Sequence, residues 1–329
     1  ESEAAAPLKG TVMPTPVGNG AKAPLALEIA DDPCWVILST SGQLARTTGQ
    51  DPITDGGQRV KHDAFTSVVA TTARAEIGAL TSSGRMLRLQ VVDMPALPPT
   101  NGIPNLAGGV SIKEFITLER GESLVGLVPL DRSFALGTAQ GVVKRVVPEY
   151  PLNRDDWEAI TLKPRDAVVG LAPAEDADDL VFITREAQLL RFPAAAVRPQ
   201  GRMAGGVAGI KLAADDVVVS FGAVRAEDPA AVVVTIAAGS GALPGTSPGS
   251  VKVTEFSEYP VKGRATGGVR CHRFLKGEDH LALAWVGHGP ARAVSSNGVA
   301  RALPTEHGRR DGSGVALSQP VDAIGPAPQ

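Results

Sequence analysis

Repetition constrains this chain more than any other feature. One pattern recurs six times: an apolar β-branched run, a tight turn, a second run and a basic residue near its middle. The copies read CWVILSTSGQLARTT (34–48), IGALTSSGRMLRLQV (77–91), SFALGTAQGVVKRVV (133–147), LVFITREAQLLRF (180–192), the looser VVVTIAAGSGALPGTSPGSVKVTEF (232–256) and ARAVSSNGVARAL (291–303). Val, Ile, Leu and Thr suit pleated strands, and glycine supplies the positive φ of a tight hairpin turn. Each copy is therefore expected to be a β-hairpin. Turn positions 42, 84, 141, 187, 249 and 298 lie 42, 57, 46, 62 and 49 residues apart, a period that suits one four-stranded blade per unit.

A second element follows each hairpin. It reads AGGVSIKEF (107–115), AGGVAGIKL (204–212), TGGVRCHRF (266–274) and GSGVAL (312–317), with weaker forms DGGQRVKHD (55–63) and DDWEAITLK (155–163). A run opened by acidic residues comes next, as in ADDVVVSFG and GEDHLALAWVG. Six units of four strands predict an all-β, six-bladed, propeller-like ring, whose closure removes exposed sheet edges. The expected boundaries are a tail or linker over 1–30 with an edge strand around LALEIA, the ring over 31–318, and a loose C-terminal tail over 319–329.

Composition agrees. With 37 Gly and 26 Pro among 329 residues a helical bundle is disfavoured, while 43% hydrophobic residues suffice for a core. Cys34 and Cys271 cannot form a disulfide framework or a four-thiolate zinc site. No apolar run approaches the ~18 residues of a membrane helix, and no basic-then-apolar leader is present. The chain is thus expected to be cytoplasmic, without a membrane partner. Because it opens on Glu rather than Met, it reads as a piece of a longer protein.

Enzymatic signatures are weak. GTSPG (245–249) resembles a nucleophile elbow, but Pro248 lacks the N–H that an oxyanion hole needs after Ser247. Cys271, His272, His280 and His288 match no standard zinc spacing, and no Walker loop is present, so no metal or other cofactor is expected. Trp35, Trp157 and Trp285 read as packing residues, and Tyr150 and Tyr259 as structural ones.

The segments QGRMAGGVAGIKLAADDVVV (200–219) and EYPVKGRATGGVRCHRFLKGEDHL (258–281), with the recurrent T-x-x-G-x-x-x-R hairpin, resemble repeats of the C-terminal domain of bacterial type IIA topoisomerase A subunits. That family includes DNA gyrase and topoisomerase IV. The resemblance spans about residues 30–318 and implies a β-pinwheel whose rim bends DNA. It also implies double-stranded DNA as partner, the remainder of an A subunit, and through it a B (ATPase) subunit. The cleavage tyrosine would lie outside this chain. Gyrase domains carry a QRRGGKG-type box in the first repeat. Here the stretch is DPITDGGQRVKHD (51–63), where Gly56 and Gly57 persist but Ile53, Thr54 and Asp55 replace the preceding basic residues. The resemblance therefore leans toward topoisomerase IV, away from chiral wrapping.

The formal charge of −3 means that a DNA role requires cations gathered on one surface. Repetition suggests how. Arg46, Arg88, Arg145 with Lys144 beside it, Arg191, Lys252 and Arg301 recur after the hairpin turns and would form an outer belt. Arg59, Lys61, Lys113, Arg202, Lys211, Arg264 and Arg270 add charge near the GG elements. Acidic doublets such as Asp178–Asp179 and Asp215–Asp216 precede strands and are expected on another face. Such a belt would contact phosphates largely without regard to sequence. The rival readings are a protein-interaction platform, a gyrase-type chiral wrapper and an enzyme with a site in the ring's channel.

Overall fold

The computed structural model describes residues 28–100, 102–243 and 248–327. The six predicted hairpins form, and each seeds one blade. Their strands are Pro33–Ser39 with Gln43–Thr47, Glu76–Thr81 with Arg85–Gln90, Phe134–Thr138 with Val142–Val146, Asp178–Thr184 with Gln188–Pro193, Ala231–Ala238 with Ser250–Glu255, and Ala291–Val294 with Ala300–Arg301. Gly42, Gly84, Gly141, Gly249 and Gly298 adopt φ between 81° and 91°, and Ala187 takes the left-handed conformation without glycine's freedom (φ 58°).

An inner strand pairs with the first strand of each hairpin: Phe65–Thr72, Leu124–Pro129, Val168–Pro173, Val218–Arg225, His280–His288 and Ala323–Pro326, in blade order. These strands surround a central cavity of about 1090 Å³, into which Trp35 and Trp285 face. The last of them corrects the expected boundary. Residues 323–326 pair with Ala291–Val294, so the ring continues past 318. At the other end, residues 28–32 are not strand, and the rest of the expected edge strand lies outside the described residues.

The outer strand departs from the one-unit, one-blade expectation. The GG element of each unit crosses to the preceding blade. Val110–Ser111 pairs with Gln43–Thr47, Asp156–Glu158 with Arg85–Gln90, Val207–Ala208 with Val142–Val146, Val269–Arg270 with Gln188–Pro193, and Val315–Ala316 with Ser250–Glu255. In the four GG- or GSG-bearing units the glycine before the strand explains the motif. A Cβ on Gly268 would lie 2.7 Å from the Leu189 carbonyl oxygen, and one on Gly109 would lie 2.7 Å from that of Leu44. The donated strand can approach its acceptor this closely only without a side chain.

Blade 6 is the exception. Its donor is the 55–63 stretch, and it reaches the expected place: the His62 N–H donates to the Gly298 carbonyl at 2.9 Å. No ladder forms there among the described residues, and the sheet keeps three strands. Side chains close the ring instead. Arg59 donates to the Asp63 carboxylate (2.6 and 2.9 Å) and to the Ala293 and Arg301 carbonyls (2.9 and 3.3 Å). Arg292 binds Asp63 (3.0 Å) and Asp55 (2.7 Å). The apolar core follows the same division. Five buried clusters each bridge two consecutive blades from 1–2 to 5–6, whereas the sixth, around Ile37, Phe65 and Leu97, lies within blade 1.

Candidate nucleic-acid interface

The expected belt of hairpin cations is not on the surface. Lys144, Arg145, Arg191 and Lys252 are buried, and the Arg88 side chain is 6% exposed. Each is a clamp on the chain that crosses from the following unit. Arg145 binds Asp176 (2.7 Å) and the Ala194 and Val197 carbonyls (both 3.3 Å). Arg191 binds Asp179 (2.5 Å) and the carbonyls of Phe256, Tyr259 and Ala226. Arg88 binds Glu76 and the Pro151 and Arg154 carbonyls, over the Tyr150 and Trp157 rings. Arg46 is half-buried and reaches the Met94 carbonyl (3.3 Å).

Lys144, Lys252 and Arg301 stand three residues after their turn glycine rather than four. Successive strand residues face opposite ways, so these cations serve the other face. Lys144 Nζ donates to the Ala159 and Arg202 carbonyls (2.8 and 3.0 Å), and Lys252 Nζ to those of Arg309, Arg310 and Gly312. Arg301 donates to the Pro320 carbonyl (3.1 Å). Burial pulls both lysines down to about 8. The physical reason for the correction is that the crossing segments present carbonyls with no ladder partner. A buried carbonyl requires a donor, and a long cation in mid-strand supplies several. The sequence signal was the setting of these residues within apolar runs, as in VVKRVV and LLRF.

The acidic residues before the inner strands also serve the fold, as latches on hairpin turns. Asp166 accepts from the Gln140 N–H (2.9 Å), Asp216 from that of Glu186 (3.1 Å), Asp279 from that of Ser240 (3.0 Å) and Asp322 from that of Ser296 (2.8 Å). Glu122 binds Thr81, Ser83 and Arg85, and the Arg85 guanidinium foremost holds its carboxyl down at about 2.

Of the second group, Lys61, Lys113, Lys211 and Arg270 are exposed, Arg202 and Arg264 are half-buried, and Arg59 belongs to the ring closure. Their surroundings differ. Fifteen-residue windows around the donated strands contain three cations and no acid on blade 3 (198–212), and four cations and no acid on blade 4 (260–274). The corresponding window on blade 2 (148–162) holds one cation against four acids. Blades 3 and 4 meet here, since the Lys211 N–H donates to the Thr266 carbonyl (3.0 Å) and Arg264 Nη1 to that of Ala208 (2.6 Å). None of Arg198, Arg202, Lys211, Lys262, Arg264, Arg270 or Arg273 is within 4.0 Å of a carboxylate among the described residues. These cations therefore gather on the outer strands of two neighbouring blades. Arg198, Lys262 and Arg273 belong to this group and were missed; the absence of acids from 198–212 and 260–274 was the available signal.

The other candidates disperse. Ser247 lies outside the described residues. His272 is buried, bonded to Thr235 (2.9 Å) and held down at about 4 by burial, while His280 and His288 pair separately with Asp279 and Asp228. Burial drives the Cys271 thiol up to about 12. Tyr259 is buried and Tyr150 stacks on Trp157. Gly56 and Gly57 of the first-repeat stretch are exposed at the ring closure. No helix among the described residues is long and apolar enough to cross a membrane.

Comparison with known proteins agrees with the fold. Residues 178–225 and 245–282 match the family described as the DNA gyrase C-terminal domain, beta-propeller. The DNA gyrase A protein of Haemophilus influenzae is 28% identical over 276 residues, which cover 73% of this chain and 30% of that protein. The topoisomerase protein TopoM of Mycolicibacterium smegmatis is 44% identical over 106 residues, 32% of this chain and 13% of that protein. The chain therefore spans less than a third of the length of these relatives. Among solved structures, the C-terminal domain of DNA topoisomerase IV superposes with a TM-score of 0.67 at 20% identity, covering 90% of this chain and 93% of that one. The DNA gyrase A C-terminal domain gives 0.56 at 15%, covering 89% and 97%. Repeats, ring and relatives converge on one likeness: the chain has the fold of the C-terminal domains of DNA topoisomerase IV and DNA gyrase A, and two of its stretches match the family model of that gyrase β-propeller domain.

Proposed function

We propose that the ring binds and bends duplex DNA along the rim of blades 3 and 4, and presents that segment to the remainder of a topoisomerase for strand passage. The observation that carries this reading is the pair of acid-free stretches, Arg198 to Lys211 and Lys262 to Arg273, on the outer strands of two adjoining blades. Its cations contact phosphates rather than base edges, so binding is largely independent of sequence. Bending 20–30 bp by 40–90° costs about 1–6 kcal/mol, which six or so phosphate contacts offset. An arc confined to two blades supports a shorter contact than a belt around all six. With the first-repeat basic residues replaced, it favours bending over chiral wrapping. In this reading the cleavage tyrosine and the ATPase belong to the rest of the enzyme, which acts at the nucleoid.

The test is a salt titration. Phosphate binding makes log K fall with log salt by about 0.9 per contact. Lys211→Ala and Arg270→Ala should each reduce that slope by about one contact on any duplex. A flat salt dependence, or unchanged slopes in both folded variants, would end the reading.

A further inference from the structure

We infer that the seam between blades 5 and 6 is a docking pocket for a segment of a partner protein, anchored by an aromatic side chain next to an acidic one. The comparison that leads there is internal. Counted from their turn glycines, Gly298 and Gly141, Ala291 stands where Phe134 does in blade 3, Leu303 where Val146 does, and His307 where Tyr150 does; on the preceding blades, Val253 stands where Arg88 does. Between blades 2 and 3, Phe134, Tyr150 and Trp157 fill the seam and leave a cavity of about 20 Å³. Between blades 5 and 6, with Ala291 and His307 in place of Phe134 and Tyr150, the space is about 310 Å³, lined by Val253, Ala291, Leu303 and Pro304, with Arg59, Arg301 and His307 in the wall. That volume lies within the usual range of ligand pockets.

Two further observations define the occupant. Arg301 has no carboxylate within 4.0 Å among the described residues; its Nε and Nη1 bind the Pro320 and Ala300 carbonyls, which leaves Nη2 for an acidic group. Arg59, also in the wall, is already held by Asp63 and by the Ala293 and Arg301 carbonyls, so Arg301 is the cation left to meet an acid. The aromatic requirement comes from the sister seam, where rings occupy the equivalent space. Residues 1–27 contain no Phe, Tyr or Trp, so the chain's own N-terminal stretch cannot supply the anchor. The inference does not rest on the DNA reading, since the pocket lies off the blade 3–4 arc.

The experiment is fluorescence polarisation of a labelled decapeptide in which one phenylalanine lies between two aspartates. Saturable binding is expected. It should weaken at least tenfold when that phenylalanine becomes alanine, and severalfold with Arg301→Ala. Ala291→Phe, which inserts the ring that Phe134 supplies elsewhere, should abolish it. Should that variant fail to fold, methyl NMR of the wild-type ring decides: the Val253 and Leu303 signals should move during the titration. Lack of saturation, equal binding of the alanine peptide, or shifts confined to the blade 3–4 rim would overturn the inference.

Discussion

Replacing Asp63 with alanine should open the ring at one seam. Asp63 is fully buried and joins both guanidinium groups of the closure, Arg59 at 2.6 Å and Arg292 at 3.0 Å, while its carboxylate also accepts from the Val60 N–H (3.1 Å). Removing it leaves two cations facing each other with the Asp55 carboxylate alone beside them, and Arg292 is only 5% exposed. Breaking one side of a buried ion pair costs about 3–5 kcal/mol, a large part of a domain's ~5–15 kcal/mol. The loss should be local, because this seam alone has neither a strand ladder nor an apolar cluster shared between its blades among the described residues. At 3 kcal/mol, the amides of Val60 and His62 would exchange roughly 150-fold faster. Native-state hydrogen exchange measures this directly. Amides in the Val207–Ala208 and Val269–Arg270 ladders should keep their protection. Unchanged exchange at Val60 and His62, or an equal loss in every blade, would refute the idea that side chains hold this closure.

Two more predictions separate structural cations from binding ones and test the turn latches. Arg145→Ala should lower stability by at least about 3 kcal/mol, because it orphans the Ala194 and Val197 carbonyls, yet leave the DNA affinity of the folded fraction unchanged; denaturant melts and binding titrations on the same sample check both. Glu122→Gln should cost about 3 kcal/mol at pH 7, since the side chain is 2% exposed and its carboxyl is lowered from 4.5 to about 2. A depressed carboxyl stabilises above its unfolded value and loses that contribution as the pH falls through 4.5 to 2, so melts of the variant and the wild type should converge near pH 2.

The number of blades, the hairpins and their turns were legible in the sequence because they are local. A period-2 apolar run and a left-handed glycine act within about fifteen residues, and they recur at 42, 84, 141, 249 and 298. The resemblance to topoisomerase C-terminal domains was legible for the same reason, from ordered copies of local motifs. Which blade receives each GG strand was not legible. That choice depends on a carbonyl such as Leu189 O, which sequence places about eighty residues from Gly268 and the fold places where a Cβ would touch it. The fate of the cations was decided at the same level. Arg191 and Arg270 are both arginines at repeated positions, but one lies among crossing carbonyls of Phe256 and Tyr259 and the other is exposed on an outer strand. The chain alone says where charge recurs. Whether that charge faces a buried carbonyl or water is set by which distant segment packs against it, and only the tertiary structure fixes that.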